Sequence, residues 1–161
     1  MPKPSGKAVE KRLCNFDIKS LTPKGVLKGY ASVFDVIDAQ KDRIAQGAFY
    51  SSLKRWQDSG QKPKLLWQHD TTELLGVWTC LKEDKRGLYG EAKLLLDVQK
   101  AWEAYILLKE KALEGLSIGF ETILSSFDEN KHVRTLHQVE LYEISLVTFA
   151  ANTAARVHHI H

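Results

Sequence analysis

Cysteine, proline and long apolar runs are all scarce in this sequence of 161 residues, which contains two cysteines and four prolines. Cys14 and Cys80 lie far apart within stretches of alternating apolar residues. This placement is typical of small buried side chains in a reducing compartment and disfavours a disulfide framework. No apolar run approaches the roughly 18 residues of a membrane-spanning helix, and no apolar signal segment follows the N-terminus. We therefore expect no membrane partner.

The sequence also lacks a strong excess of one charge, because its 23 lysines and arginines are nearly balanced by 20 acidic residues and the net charge is only +3. No run of basic residues is longer than two, and aromatic residues are not interleaved with them as in a groove for single strands. We therefore do not expect nucleic acid as a partner. His158, His159 and His161 end the chain, but the sequence reveals no further ligands beside them, so we expect neither a metal nor a cofactor.

The length of the chain predicts a single domain. Residues 1–10 are rich in small, polar and basic residues, which cannot bury enough surface to offset the entropy of ordering, and we predict a flexible leader there. The domain is expected at residues 11–157, followed by a short tail at 158–161.

Period-two alternation of apolar residues, interrupted by turn signals, predicts about seven or eight strands. Helical spacing predicts one helix within residues 47–59, stopped by Gly60, and a second that begins at an Asp97 N-cap and ends near Glu114. Because the strands mostly meet through hairpins, the fold class is mainly β with flanking helices, as an antiparallel barrel or sandwich.

The most informative motif is a serine between two glycines at residues 115–119. Its letters match the nucleophile elbow of α/β-hydrolases, which requires a helix directly after the serine. Residues 120–126 are instead β-branched and alternating, and they end at a turn. The hydrolase order Ser117, Asp128, His137 would also leave no room for the intervening sheet. We therefore reject the elbow.

Ser117 is predicted on a strand whose apolar residues Leu116, Ile118 and Phe120 face the core. The serine would then lie on the opposite face, sterically open between two residues without side chains. An ordinary solvent-facing serine, flanked by a helix C-cap and a bulge, is the alternative.

A serine hydroxyl needs a base to act as a nucleophile. His69 is the best candidate because it ends an apolar strand and enters a polar loop, whereas His132 and His137 are more typical of surface residues. An acid must then orient the imidazole, and Glu143 and Glu140 lie on opposite faces of one predicted strand. Periodicity does not choose between them.

A cysteine nucleophile is disfavoured, because Cys14 and Cys80 lie within strands and away from any electropositive setting.

Five blocks in this order closely resemble the prohead maturation proteases of tailed bacteriophages, which are similar to the herpesvirus maturation proteases. The blocks are Gly29-Tyr30-Ala31-Ser32-Val33-Phe34, Leu66-Trp67-Gln68-His69-Asp70 with Leu75-Gly76, Arg86-Gly87-Leu88-Tyr89, Leu113-Glu114-Gly115-Leu116-Ser117-Ile118-Gly119-Phe120, and residues 139–152. The resemblance implies a closed or partly open β-barrel of about seven strands.

The resemblance also implies roles for single residues. It makes Ser117 the nucleophile, His69 the general base and Glu143 the third member, in preference to Glu140. It places the oxyanion donors near Ala151-Asn152, where the family usually has proline before this pair and this chain has alanine.

The activity implied by the resemblance is that of a serine endopeptidase without a cofactor. Its expected substrates are the scaffold or the scaffold-like segment of the major capsid protein, and the protease itself. Its expected place is the immature phage head in the host bacterial cytoplasm, where a homodimer is compatible with the resemblance. The competing hypothesis is a non-catalytic capsid- or scaffold-binding module on the same fold.

Overall fold

A computed structural model describes residues 9–15, 20–113 and 115–148. Nine strands and two helices follow one another along these residues: β1 (Glu10–Asn15), β2 (Ser20–Leu21), β3 (Val26–Val33), β4 (Asp42–Ile44), α1 (Tyr50–Ser59), β5 (Lys64–Trp67), β6 (Asp70–Glu83), β7 (Gly87–Leu94), α2 (Gln99–Lys109), β8 (Gly115–Asp128) and β9 (Val133–Val147). The predicted class, mainly β with two helices, is confirmed. β1 begins at Glu10, inside the predicted leader, and the predicted tail at 158–161 lies outside the described residues.

All nine strands form one curled sheet in the order β1-β8-β9-β5-β6-β7-β3-β2, with β4 paired to β9. Two pairings, β4 with β9 and β5 with β9, are parallel, and the others are antiparallel. Within the described ranges no ladder joins β1 to β2, because the two residues of β2 pair only with β3. The sheet is therefore an open half-barrel, and the closed barrel allowed by the sequence is wrong. The likeness to herpesvirus proteases stays a prediction.

The two helices cover the sheet near the residues expected from the sequence, with different ends. α1 stops at Gly60, which adopts the left-handed conformation common after a helix. α2 begins one residue later than predicted, because the N-cap is Val98 and no side chain caps it. It also ends earlier than predicted, since Lys111 has a positive φ of 60° that interrupts the helical backbone. The Asp97 N-cap is therefore wrong.

Strand β9 is an interior strand of the sheet, paired with β8 along one side and with the short strands β4 and β5 along the other. α1 fills the gap between those two short strands. The backbone N–H of Leu141 donates to Ser52 Oγ at 2.9 Å, and Trp56 Nε1 donates to the Leu141 carbonyl at 2.7 Å. These bonds satisfy buried backbone groups that have no strand beside them.

One extra residue in β9 changes the face on which its side chains lie. Gly119 and Phe120 are consecutive in β8, but their partners in β9 are Glu143 and Leu141, so Tyr142 is the extra residue of a β-bulge. Core side chains on β9 therefore change phase, from Val139 and Leu141 before the bulge to Ile144 and Leu146 after it. Strict alternation would place Glu143 on the core face with Val139 and Leu141, but the bulge turns it away from the core.

Candidate active site

Ser117 lies on β8 where the alternation places it. Leu116, Ile118 and Phe120 belong to the hydrophobic core, so Ser117 occupies the other face. Its cross-strand neighbours are Leu13 of β1 and Ser145 of β9. Ser117 is fully buried, with 0% of its surface exposed. The expected sterically open serine is therefore wrong, since His69 lies against its hydroxyl.

His69 belongs to a two-residue turn that joins β5 to β6. Trp67 pairs with Asp70 across this turn, and the central residues Gln68 and His69 both have positive φ, at 50° and 62°. Positive φ at both central residues is typical of a type I′ hairpin turn, which usually contains asparagine and glycine. The Gln68 N–H donates to the Leu146 carbonyl of β9 at 2.9 Å. The turn therefore presents the imidazole over β8 and β9.

The structure brings Ser117, His69 and Glu143 into one hydrogen-bonded chain. His69 Nε2 lies 2.7 Å from Ser117 Oγ, and His69 Nδ1 is hydrogen-bonded to Glu143 Oε1. An ionised carboxylate only accepts hydrogen bonds, so Nδ1 carries the proton and Nε2 is free to accept one from the serine. The Glu143 side chain is 9% exposed and that of His69 is 19% exposed. This arrangement has the connectivity of a nucleophile, a base and an orienting acid.

Gly119 provides the space that the Glu143 carboxylate occupies. A Cβ atom built on Gly119 would lie 2.3 Å from Glu143 Oε1 and 2.9 Å from its Cδ. Gly119 is not among the glycines with positive φ, so the close approach, rather than the backbone conformation, requires glycine. The sequence predicted Gly119 as open space beside Ser117 or as a bulge, and not as space for a carboxylate. The serine two residues before it was the available signal, since residues i and i+2 share a face of a strand.

A lysine of the edge strand also lies near the carboxylate. Lys11 Nζ is 3.5 Å from Glu143 Oε1, although nearly half of the lysine side chain is exposed. An exposed partner of this kind contributes little to stability. Lys11 faces Gly119 across the β1–β8 ladder, so β1 borders the site.

The other candidate residues lie apart from this chain of bonds. Glu140 is paired with Arg55 of α1. His137 bonds to Ser126 Oγ at 2.7 Å on the exposed end of the β8–β9 hairpin, and within the part of the chain that the structure describes no carboxylate contacts it. His132 is exposed, and Cys80 is a free cysteine within β6.

Asp70 follows His69 directly, but its carboxylate is hydrogen-bonded to Thr72 of the same strand, β6. Its carboxylate accepts bonds from the Thr72 hydroxyl at 2.6 Å and the Thr72 N–H at 2.9 Å. These bonds, the one from the Thr72 side chain foremost, lower the pKa of Asp70 below its ordinary value. Asp70 is therefore a surface anion beside the turn.

At the bulge itself, burial and nearby carboxylates shift the pKa of Tyr142. Burial, followed by the charges of Glu121 and Glu140, raises the pKa of Tyr142 to about 12. Its phenol is therefore neutral at physiological pH.

Several predictions about the surroundings fall outside the described ranges. Ala151 and Asn152 lie there, as do His158, His159 and His161. Among the described residues there is no cluster of three or more histidine, cysteine or acidic side chains suited to a metal. None of the helices described is both long and apolar enough to cross a membrane.

Two surface cavities of about 610 and 730 Å³ are lined by residues of α1, β6 and the loops near them, and not by the residues of the site.

Comparison with known proteins gives a family match over most of the chain. The family described as "Caudovirus prohead serine protease" matches residues 14–161. The prohead protease of Enterobacteria phage HK97 is 32% identical over 136 residues, which are 83% of this chain and 59% of that protein. The prohead protease of Escherichia phage T5 is 28% identical over 137 residues, which are 84% of this chain and 63% of that protein. The chain thus spans about three fifths of the length of these relatives.

A solved structure supports the fold. The structure of the bacteriophage T4 capsid assembly protease, gp21, superimposes with a TM-score of 0.65 at 11% sequence identity. The superposition covers 89% of this chain and 99% of that one. At this identity the likeness concerns the arrangement of strands and helices alone.

Proposed function

Because this chain belongs to the caudovirus prohead serine protease family, we propose that it is a serine endopeptidase in which Ser117 is the nucleophile, His69 the general base and Glu143 the residue that orients the base. The observation that carries the proposal is the continuous set of contacts from Glu143 through His69 to Ser117. An ordinary surface serine beside a histidine would not need a buried carboxylate bound to the other nitrogen of the imidazole.

The proposed reaction follows from the positions of the protons. His69 Nε2 accepts the proton of Ser117 as Oγ attacks the carbonyl carbon of the scissile peptide bond. Glu143 stabilises the imidazolium that forms and keeps the ring in the tautomer with Nδ1 protonated. His69 then returns the proton to the leaving amine, and the peptide bond breaks to give an acyl-enzyme. Water activated by the same imidazole hydrolyses this ester and restores Ser117.

We infer the substrates from the names of the relatives. Two are called prohead proteases and one solved neighbour a capsid assembly protease. These names support capsid-related polypeptides as substrates, and more specifically the scaffold or the scaffold-like segment of the major capsid protein, with self-cleavage. The proposed place of action is the interior of the immature head, and the oxyanion donors are proposed at Ala151-Asn152. A homodimer remains part of the proposal.

A fluorophosphonate probe tests the activity without knowledge of the cleavage site. An activated serine should react with it, and intact-mass and peptide mass spectrometry should locate one adduct on Ser117. Ser117→Ala should abolish the adduct, and it should also abolish processing of a co-expressed capsid precursor while the chain stays folded.

Ser126 provides a matched control within the same hairpin. Its hydroxyl lies 2.7 Å from His137 Nε2, the same separation as at the site, but no described acid orients that histidine. Ser126→Ala should therefore leave labelling unchanged. A folded protein that never reacts with the probe, or that reacts equally at both serines, would contradict the proposal and favour the non-catalytic binding module.

A further inference from the structure

Ser145, a residue to which neither the sequence nor the family match assigns a role, touches both partners of the proposed nucleophile. Its hydroxyl donates to Glu143 Oε2 at 2.7 Å, and the same oxygen accepts the backbone N–H of His69 at 3.1 Å. Ser145 is fully buried and lies across the ladder from Ser117. We propose that Ser145 is a positioning residue that holds the imidazole and the carboxylate in register. This inference rests on the proposed function.

The turn that carries His69 needs such support. A residue other than glycine is rarely stable at positive φ, and Gln68 and His69 are consecutive residues in that region. Their two N–H groups are bound by consecutive residues of β9, the Leu146 carbonyl at 2.9 Å and the Ser145 hydroxyl at 3.1 Å. Only the second of these bonds uses a side chain, so a substitution at residue 145 can remove it while the ladder remains.

The carboxylate needs support for a different reason. Glu143 Oε1 binds the imidazole, and its other oxygen, Oε2, accepts the Ser145 hydroxyl. With both oxygens held, the carboxylate cannot rotate away from His69 Nδ1. The Ser145 hydroxyl therefore holds both the backbone of His69 and the plane of the Glu143 carboxylate. A serine with a purely structural role would not contact both of these residues.

The test compares Ser145→Ala and Ser145→Cys with the wild-type chain. Cysteine keeps nearly the same volume but is a weak hydrogen-bonding group, so it separates loss of bonding from loss of packing. We expect both variants to react with the fluorophosphonate about 10- to 100-fold more slowly, which is the range for misplaced reacting groups. We also expect the downfield NMR signal of the imidazole Nδ1 proton to weaken or move, because it reports the bond to Glu143.

Ser52→Ala is the matched control. Ser52 is another fully buried serine whose hydroxyl accepts a backbone N–H of β9, that of Leu141 at 2.9 Å. We expect it to lower the urea midpoint about as much as Ser145→Ala while leaving the rate of labelling unchanged. If Ser145→Ala does not fold, Ser145→Cys is measured alone.

The outcomes distinguish the two levels of inference. If wild type reacts at Ser117 and both Ser145 variants react at the same rate with an unchanged imidazole signal, the role of Ser145 is refuted and the proposed function stands. Wild-type reactivity in the cysteine variant alone would reduce the effect to packing and also refute it. If wild type does not react at all, the proposed function fails. The imidazole signal then still decides whether Ser145 holds His69 against Glu143.

Discussion

Replacing Gly119 with alanine tests the geometry of the site through a residue that has no chemistry of its own. The new Cβ would stand 2.3 Å from Glu143 Oε1, whereas ordinary contact begins at about 3.4 Å. The carboxylate must therefore retreat by about 1 Å, and its bond to His69 Nδ1 lengthens accordingly. A misplacement of 1 Å costs on the order of 100-fold in rate, so we expect labelling of Ser117 by a fluorophosphonate to slow about 100-fold.

The fold should tolerate the change. The clashing atoms belong to a flexible side chain, and Gly119 does not depend on positive φ. The urea midpoint and the circular dichroism spectrum should accordingly stay close to wild type. These measurements separate displacement of Glu143 from general unfolding of β8.

A double-mutant cycle gives the decisive comparison. Glu143→Ala removes the atoms against which the new methyl group would clash, so Gly119→Ala should have little further effect in that background. If Gly119→Ala slows labelling equally in both backgrounds, or leaves wild-type labelling unchanged, the assignment of Gly119 as the space for the carboxylate is refuted.

Two further predictions concern the remaining acids and the tyrosine of the bulge. Glu143→Gln should slow labelling about 10³- to 10⁴-fold because an amide can donate to Nδ1 and favour the wrong tautomer. Glu140→Gln should change it by less than about two-fold because Glu140 contacts Arg55, and the reverse ranking would move the orienting role to Glu140. The raised pKa of Tyr142, about 12, means that its contribution to stability is complete below about pH 10 and is lost as pH rises towards 12. In urea denaturation from pH 8 to 11, wild type should therefore lose stability relative to Tyr142→Phe, and a constant difference would contradict this.

Much of the fold could be predicted from local patterns in the sequence. The core residues around Ser117, the hairpins and both helices follow from alternation, helical spacing and turn residues. Whether the sheet closes could not be predicted in this way, because closure depends on whether the two outermost strands, β1 and β2, pair with each other. The parallel pairing of β5 with β9 was equally hidden, since it joins strands that are far apart in sequence.

The candidate site could be predicted from the sequence only in part. The residues alone suggested Ser117 and His69, and only the family resemblance preferred Glu143 to Glu140. Alternation failed there because a single extra residue, Tyr142, shifts the phase of β9, and no composition signal marks it. The turn at Gln68 was missed because it lacks the asparagine and glycine that usually identify a type I′ turn.

The bulge in β9 has a consequence for anyone who aligns or transplants this site. The core side chains just before Tyr142 are Val139 and Leu141, and those just after it, Ile144 and Leu146, follow the opposite phase of alternation. An alignment that preserves hydrophobic alternation without a gap would therefore exchange the acid for a core residue. A graft onto a regular sheet must likewise carry the extra residue, because otherwise Glu143 and Ser145 would point into the apolar interior.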